Sequence, residues 1–203
     1  MEVEIIKRLE EEVRQNPKSI FAHHRLALAY HRAGRLREAK ETLKKVLRLD
    51  PHNFEALVNL GTILAQEGEL EEARKAFVLA LKIFPSSPEA LTNLGLICFQ
   101  LGDLEASEKY YREALSVKPD LPAVWLNLAA LLIAKEAYEE AENCCRKALE
   151  YAPEFSLAYN NLAVACYYQG RKDRAREALK KAKELGYPVD PRFEKLVFHE
   201  SYS

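Results

Sequence analysis

The sequence predicts an all-α fold built from five similar helix pairs, and three spacings predict it. Five prolines stand 34 residues apart, so an internal repeat is the first feature to explain. Four glycines and a series of small residues follow the same period, and Glu136 stands where the fifth glycine would be. The prolines are Pro17, Pro51, Pro85, Pro119 and Pro153; the glycines are Gly34, Gly68, Gly102 and Gly170; the small residues are Ala39, Ala73, Ser107, Ala141 and Ala175. Such a period predicts a repeat array.

Each repeat carries two apolar patterns of helical period. The repeats begin at Ile20, Phe54, Pro88, Pro122 and Ser156, and position 1 is the first residue of each, which puts the periodic proline at position 32. Positions 4, 7, 8 and 11 form one face of a first helix, and positions 20, 24 and 27 form one face of a second. Glycine at position 15 opens the turn between them, and proline at position 32 ends the second helix because it has no amide donor. Small residues at positions 8 and 20 let the two backbones approach closely.

Both ends of the array are predicted to be closed by single helices, as a repeat array requires. Near the N-terminus, Ile5, Leu9 and Val13 form the apolar stripe of a lone second-type helix. Near the C-terminus, Asp190 can cap a last helix that covers repeat five through three apolar side chains. These side chains are Phe193, Leu196 and Val197. The expected organisation is one domain over residues 1–203, with an N-terminal helix (1–19), five repeats (20–53, 54–87, 88–121, 122–155 and 156–189) and a C-terminal helix and tail (190–203).

The repeat resembles the tetratricopeptide repeat, since its small, large and proline positions are those of that family's consensus. The resemblance covers the five repeats and departs from the pattern in the last one, where Tyr187 stands at position 32 and the proline follows at Pro188. It implies a right-handed α-solenoid whose first helices line a groove that binds peptides or other proteins. In this family, positions 2, 5, 6, 9, 12 and 13 of the first helices face that groove; we call them the groove positions.

The overall charge excludes recognition driven by a global field. The chain has 30 basic and 31 acidic side chains and a net charge of −1, so we expect neither nucleic acid nor an anionic membrane as a partner. Its longest apolar run, residues 128–134, is far shorter than the roughly 20 residues that span a bilayer. The first residues do not resemble a secretory signal, and four cysteines without a CxxC motif suggest reduced thiols. We therefore expect a soluble, cytoplasmic protein.

No pattern predicts catalysis, a metal or a cofactor. The seven glycines all belong to the repeat pattern or a helix end, so none remains for a phosphate-binding loop. His24 and His31 are separated by about 10 Å along a helix, too far to share one zinc ion. The adjacent Cys144 and Cys145 fall on packing positions, and a reactive thiol is the alternative that these positions disfavour. We expect a protein that is not an enzyme.

Position 6 carries the clearest candidate for a binding surface. Asparagine recurs there at 34-residue intervals, as Asn59, Asn93, Asn127 and Asn161. An amide is both donor and acceptor, so a row of asparagines can pair with an extended peptide backbone whatever its side chains are. The alternative is that asparagine is only a polar residue tolerated at this position. We expect the row to bind peptide.

Apolar and basic side chains at other groove positions complete the predicted site. The apolar ones are Val58, Leu96, Phe99, Leu126, Ala130, Ile133, Val164 and Tyr167, and contiguous exposed apolar area marks interaction surfaces. The basic ones belong to repeat one and are His24, Arg25 and Arg32. They favour an acidic segment of the partner, although a solvated basic helix face would look the same. The predicted partner is therefore a protein or peptide with spaced apolar side chains.

Self-association is the alternative function. The N-terminal helix is rich in glutamate, whereas the second helix of repeat five is rich in lysine and arginine. Unlike ends of this kind could stack head to tail into open chains. Basic residues near a helix end are common, however, since they interact favourably with the helix dipole.

Overall fold

The computed structural model describes residues 2–198, and within them the chain forms twelve α-helices and no strand. The helices are α1 (Glu2–Gln15), α2 (Ile20–Arg32), α3 (Leu36–Leu49), α4 (Phe54–Gln66), α5 (Leu70–Ile83), α6 (Pro88–Gln100), α7 (Leu104–Val117), α8 (Pro122–Ala134), α9 (Tyr138–Tyr151), α10 (Ser156–Tyr168), α11 (Lys172–Glu184) and α12 (Pro191–Phe198). The first helix of every repeat begins at position 1. The contacts group the chain into two compact units, unit 1 (Met1–Gly102) and unit 2 (Asp103–Ser203).

Four of the five first helices begin where they do because a capping residue or a proline stands at their N-terminus; α10 follows Phe155, whose side chain makes no capping bond. The side chains of Ser19, Asn53 and Ser87 accept hydrogen bonds from backbone N–H groups three residues later, at 3.0–3.2 Å. Pro88 and Pro122 occupy the first helical position, where a missing N–H costs nothing. The predicted repeat starts therefore coincide with physical helix starts.

The turn inside each repeat needs a residue with positive φ. Gly68 has φ +80°, and Glu136 has φ +59° at the equivalent position of repeat four. A Cβ atom makes this left-handed conformation unfavourable, so Glu136 holds it at a conformational cost. The prediction that Glu136 replaces the missing glycine is confirmed.

Unit 1 packs each first helix closely on its second helix. A Cβ atom added at Gly61 would lie 2.8 Å from Cζ of Phe77, so the small position 8 accommodates the ring at position 24. Helix α1 is held to α2 by Tyr30 Oη, which donates to Glu10 at 2.6 Å. The predicted stripe of α1 is wrong at one residue: Ile6 is buried with Leu9, whereas Ile5 is 51% exposed.

Unit 2 ends with α12, which covers repeat five as expected. Val197 is buried against Ala163, Cys166 and Leu179. Asp190 caps the helix, since its Oδ1 accepts from Arg192 N at 2.8 Å. Leu196 does not take part and is 54% exposed. It stands at position 7, which packs on the second helix of its own repeat, and the described residues contain no helix after α12.

Two further properties concern the whole described chain. Within residues 2–198, every helix is too short or too polar to cross a bilayer. All four cysteines are free and buried. Burial raises the pKa of the Cys144 thiol to about 11, so this thiol stays protonated at neutral pH.

Candidate peptide-binding surfaces

Unit 1 presents Asn59 and Asn93 on successive first helices, α4 and α6, and both side chains are half-buried. Asn59 Nδ2 donates to His24 Nε2 at 3.0 Å, so this amide is already engaged within the protein. Asn93 makes no side-chain hydrogen bond to any described residue. The two amides of unit 1 therefore differ in what they can offer a ligand.

Nε2 of His24 accepts the hydrogen bond from the Asn59 amide, so this nitrogen carries no proton. Burial lowers the pKa of His24, and the nearby Glu55 carboxylate opposes this shift only in part. The ring is therefore uncharged at neutral pH. His24 does not supply the positive charge that its place beside Arg25 predicted.

The remaining basic residues of repeat one are partly neutralised. Arg25 forms an ion pair with Glu12 of α1, with an N–O distance of 2.9 Å. Arg32 is exposed and forms no ion pair with any described residue. Of the three basic residues predicted for this end of the groove, only Arg32 keeps a charge that no described carboxylate neutralises. This leaves little charge to attract an acidic segment.

An open pocket of about 240 Å³ lies between α4, α5 and α6 and combines amides with apolar atoms. Its polar lining includes the amides of Gln66, Asn93 and Gln100. Its apolar lining includes Leu96 and Ile97, and Leu96 is 38% exposed. Two predicted groove residues, Asn93 and Leu96, border this concavity, and Phe99 is half-buried on the same helix.

Unit 2 repeats the arrangement on α8 and α10. Asn127 and Asn161 are half-buried, and neither side chain bonds to a described residue. The groove positions beside them carry Ala130, Ile133 and Val164, all half-buried. Each of the two helices therefore exposes one free amide with apolar neighbours.

The prediction is wrong for two groove residues, which are buried. Position 5 lies in the interior when its side chain is aliphatic. Val58 is 3% exposed and Leu126 is 4% exposed. Leu126 packs with Ala148 of α9 and Ala158 of α10, in the core between repeats four and five. Position 5 lies on the edge of the helix that meets the next repeat, so its apolar side chains fill that contact.

The aromatic residues at the end of α10 lie close to α12. The Tyr167 and Phe193 rings pack edge to face with centroids 5.7 Å apart. Tyr168 stacks on Tyr138 at 5.0 Å and leaves more than half of its surface exposed. Tyr167 is therefore half-covered by the C-terminal helix, and Tyr168 is the more accessible ring at this end.

A charged contact that was not predicted from the sequence joins consecutive repeats. It links position 21 of one repeat to positions 14 and 16 of the next. In unit 1, Lys40 binds Glu67 and also Glu69, the latter at 2.7 Å. In unit 2, Glu108 binds Lys135 at 2.7 Å, with the signs reversed. Opposite charges at this spacing in the sequence would have indicated these pairs.

Glu142 is the most buried member of this series, with a side-chain exposure of 1%. Its carboxylate accepts from Arg171 at 2.7 Å, from Gln169 at 2.9 Å and from Arg146. Arg174 lies 3.6 Å away. Glu142 is therefore a buried carboxylate whose charge is balanced by arginines of two consecutive repeats.

Helix pairs with a 34-residue period and small residues at the contact between the two helices of a pair define a class of helical repeat proteins. Three family models, each described as tetratricopeptide repeat, match residues 24–88, 88–121 and 132–197. Together these models span most of the chain, and the chain belongs to the tetratricopeptide repeat family. The predicted all-α solenoid class is confirmed.

Solved structures of the same fold cover most of this chain. PilF of Pseudomonas aeruginosa aligns with a TM-score of 0.80 and 23% identity over 92% of this chain and 85% of its own. YrrB aligns with a TM-score of 0.76 and 19% identity over 94% and 96%. MamA of Desulfovibrio magneticus RS-1, residues 41 to the end, aligns with a TM-score of 0.77 and 20% identity over 82% and 94%. No curated protein matches the sequence. At these identities the likeness concerns the fold.

Proposed function

We propose that this chain is a non-catalytic scaffold that binds extended peptide segments of partner proteins along the first helices of its repeats. The observation that carries the proposal is the state of the position-6 amides. Asn93, Asn127 and Asn161 are half-buried, yet none is bonded to a described residue. A peptide backbone presents both N–H and C=O groups, so it can satisfy both ends of such amides.

The apolar groove positions define the rest of the ligand. In unit 1, the side chain of Leu96 borders the pocket that also contains the Asn93 amide. In unit 2, Ile133 and Val164 are half-buried beside free amides. A peptide whose backbone pairs with the amides would therefore place apolar side chains against Leu96, Ile133 and Val164.

The family supports an interaction role. Tetratricopeptide repeats are generally non-catalytic interaction modules, and all three matching models are of this repeat. YrrB, which shares the fold, is described as a TPR protein with an unusual peptide-binding site. The buried free thiols fit a reducing compartment, so we place the protein in the cytoplasm.

Loss of an amide tests the proposal directly. Random twelve-residue peptides displayed on phage would be selected on the intact chain, and the tightest peptide measured by calorimetry. We expect Asn93→Ala or Asn127→Ala to weaken binding about fivefold, since a hydrogen bond contributes about 1 kcal/mol.

The matched control is Asn143→Ala, which removes an exposed amide from α9, a second helix. It should leave the affinity unchanged. All variants should keep the helical circular dichroism of the parent. If the selected peptides bind Asn93→Ala and Asn127→Ala as tightly as the parent chain, the position-6 amides do not form the site.

A further inference from the structure

A second pocket lies in unit 2, on the side of α10 that carries positions 4 and 7 rather than the groove positions. Its volume is about 330 Å³, and Tyr159 and Leu162 of α10 form its floor. Arg146 of α9 and Arg174 and Lys181 of α11 also line it. The pocket thus combines an apolar floor with three cationic side chains, and the peptide-binding proposal does not use it.

Among the five repeats, the position-7 leucine is less buried in repeat five than in the other four. Leucine occupies position 7 in every repeat, and Leu26, Leu60, Leu94 and Leu128 are all buried. Leu162 is only half-buried, and its side chain lines the pocket. Apolar area that every other repeat covers is therefore accessible here.

Arg174 has the most spare hydrogen-bonding capacity of the three cations, since Arg146 donates to Glu142 and Lys181 pairs with Glu184 at 3.2 Å. The Glu142 carboxylate already accepts from Arg146, Arg171 and Gln169. Arg174 makes only a 3.6 Å ion pair with Glu142 and no hydrogen bond to a described residue. A guanidinium has five N–H donors, so most of those on Arg174 are free for a ligand.

The surrounding charge favours an anionic ligand. Residues 171–184 contain seven basic and three acidic side chains, although the whole chain is close to neutral. Of the three acidic ones, only Glu177 lines the pocket. The positive charge is therefore local, and it surrounds a cavity with room for one apolar side chain.

We propose that this pocket binds an acidic segment of a partner protein, with one apolar side chain of that segment on Tyr159 and Leu162 and flanking carboxylates on Arg174, Lys181 and Arg146. Carboxylates pair bidentately with guanidinium groups, which fixes the segment over the floor. The apolar contact distinguishes such a segment from a plain polyanion. This site is separate from the amide surface, so the chain would hold two different protein segments.

A short peptide tests the pocket. The probe is fluorescein-labelled Glu-Asp-Glu-Leu-Glu-Asp-Glu, titrated by anisotropy against the intact chain in low-salt buffer at pH 7. We expect saturable binding that the double variant Arg174→Glu, Lys181→Glu weakens by about tenfold or more, since two charge pairs are lost and two repulsions are added. Replacing the leucine of the probe by serine should weaken binding several-fold.

The matched control carries the same charge change on the same helix. Lys172→Glu, Lys180→Glu alters two exposed lysines of α11 that do not line the pocket, and it should change the affinity less than twofold. Equal losses in the two double variants would mean binding by bulk charge and would overturn the proposal. Equal binding of the leucine and serine probes, tighter binding of oligothymidine, or no binding at about 1 mM chain would overturn it too.

Discussion

At the scale of single residues, one departure from the repeat pattern lowers the stability of the chain. Glu136 takes the left-handed conformation that glycine takes at the same position of the other four repeats. At all four of those glycines, Gly34, Gly68, Gly102 and Gly170, an added Cβ atom would meet nothing within 4 Å. The cost at this turn is therefore conformational rather than steric.

Glu136→Gly should stabilise the chain by about 1 kcal/mol, because it removes the penalty of a Cβ atom at positive φ. The measurement is chemical denaturation followed by circular dichroism. Glu136→Ala removes the carboxylate but keeps the Cβ atom, so it should gain nothing. If the alanine variant is stabilised as much as the glycine variant, the effect is electrostatic and the conformational account is wrong.

His24 gives the fold a dependence on pH. Its pKa in the folded protein is lowered by burial, below the 6.5 of a free histidine. When the pH falls through 6.5, the unfolded chain takes up a proton that the folded chain does not, so stability falls. The loss ends below the folded pKa, where both states are protonated.

Thermal melts between pH 7.5 and pH 5 check this dependence. The melting temperature of His24→Gln should fall less on acidification than that of the parent chain. His52→Gln, which changes an exposed histidine in a loop, should follow the parent. Identical slopes for all three chains would show that His24 does not titrate differently on folding.

At the scale of helices, the sequence predicted what depends on local spacing and missed what depends on neighbours. The starts of four of the five first helices follow from capping residues or prolines at the repeat boundary. The burial of Val58 and Leu126 could not be derived in this way, because position 5 meets the next repeat and also holds half-buried polar side chains, such as Thr92. Free and engaged amides were likewise indistinguishable: only the structure shows that Asn59 bonds to His24.

The contact between consecutive repeats can be tested at Glu142. Glu142→Gln keeps the shape but leaves Arg146, Arg171 and Arg174 without a buried counter-charge. We expect a loss of about 2–3 kcal/mol in the free energy of unfolding, somewhat less than for a fully buried pair because the arginines reach solvent.

Glu140→Gln is the comparison for Glu142→Gln. Glu140 lies on the same helix as Glu142, and its exposed ion pair joins it to Arg112 of α7, so the expected loss is below about 1 kcal/mol. Urea denaturation of both variants measures the difference. Equal, small losses would show that the Glu142 cluster does not stabilise the contact between repeats four and five.

At the scale of the molecule, a repeat array must end in a face that tolerates water. In unit 2 that end is α12, which places Val197 over the apolar side chains of α10 and α11. Arg176 donates to the Val197 carbonyl at 3.0 Å, and Lys183 pairs with Glu194. One buried valine, the half-buried rings of Phe193 and Phe198 and two polar contacts thus hold this last described helix.

Val197→Asp should therefore detach α12, because it places a carboxylate in a fully apolar contact without a partner. Detachment would expose Ala163, Cys166 and Leu179, and we expect a lower melting temperature and concentration-dependent aggregation in light scattering. Leu196→Asp changes the neighbouring residue on the same helix, whose side chain is already in solvent, and should leave both properties unchanged. If Val197→Asp melts and scatters light as the parent chain does, then α12 does not protect this end of the array. The polar surface of α11 would then be enough to keep this end from aggregating.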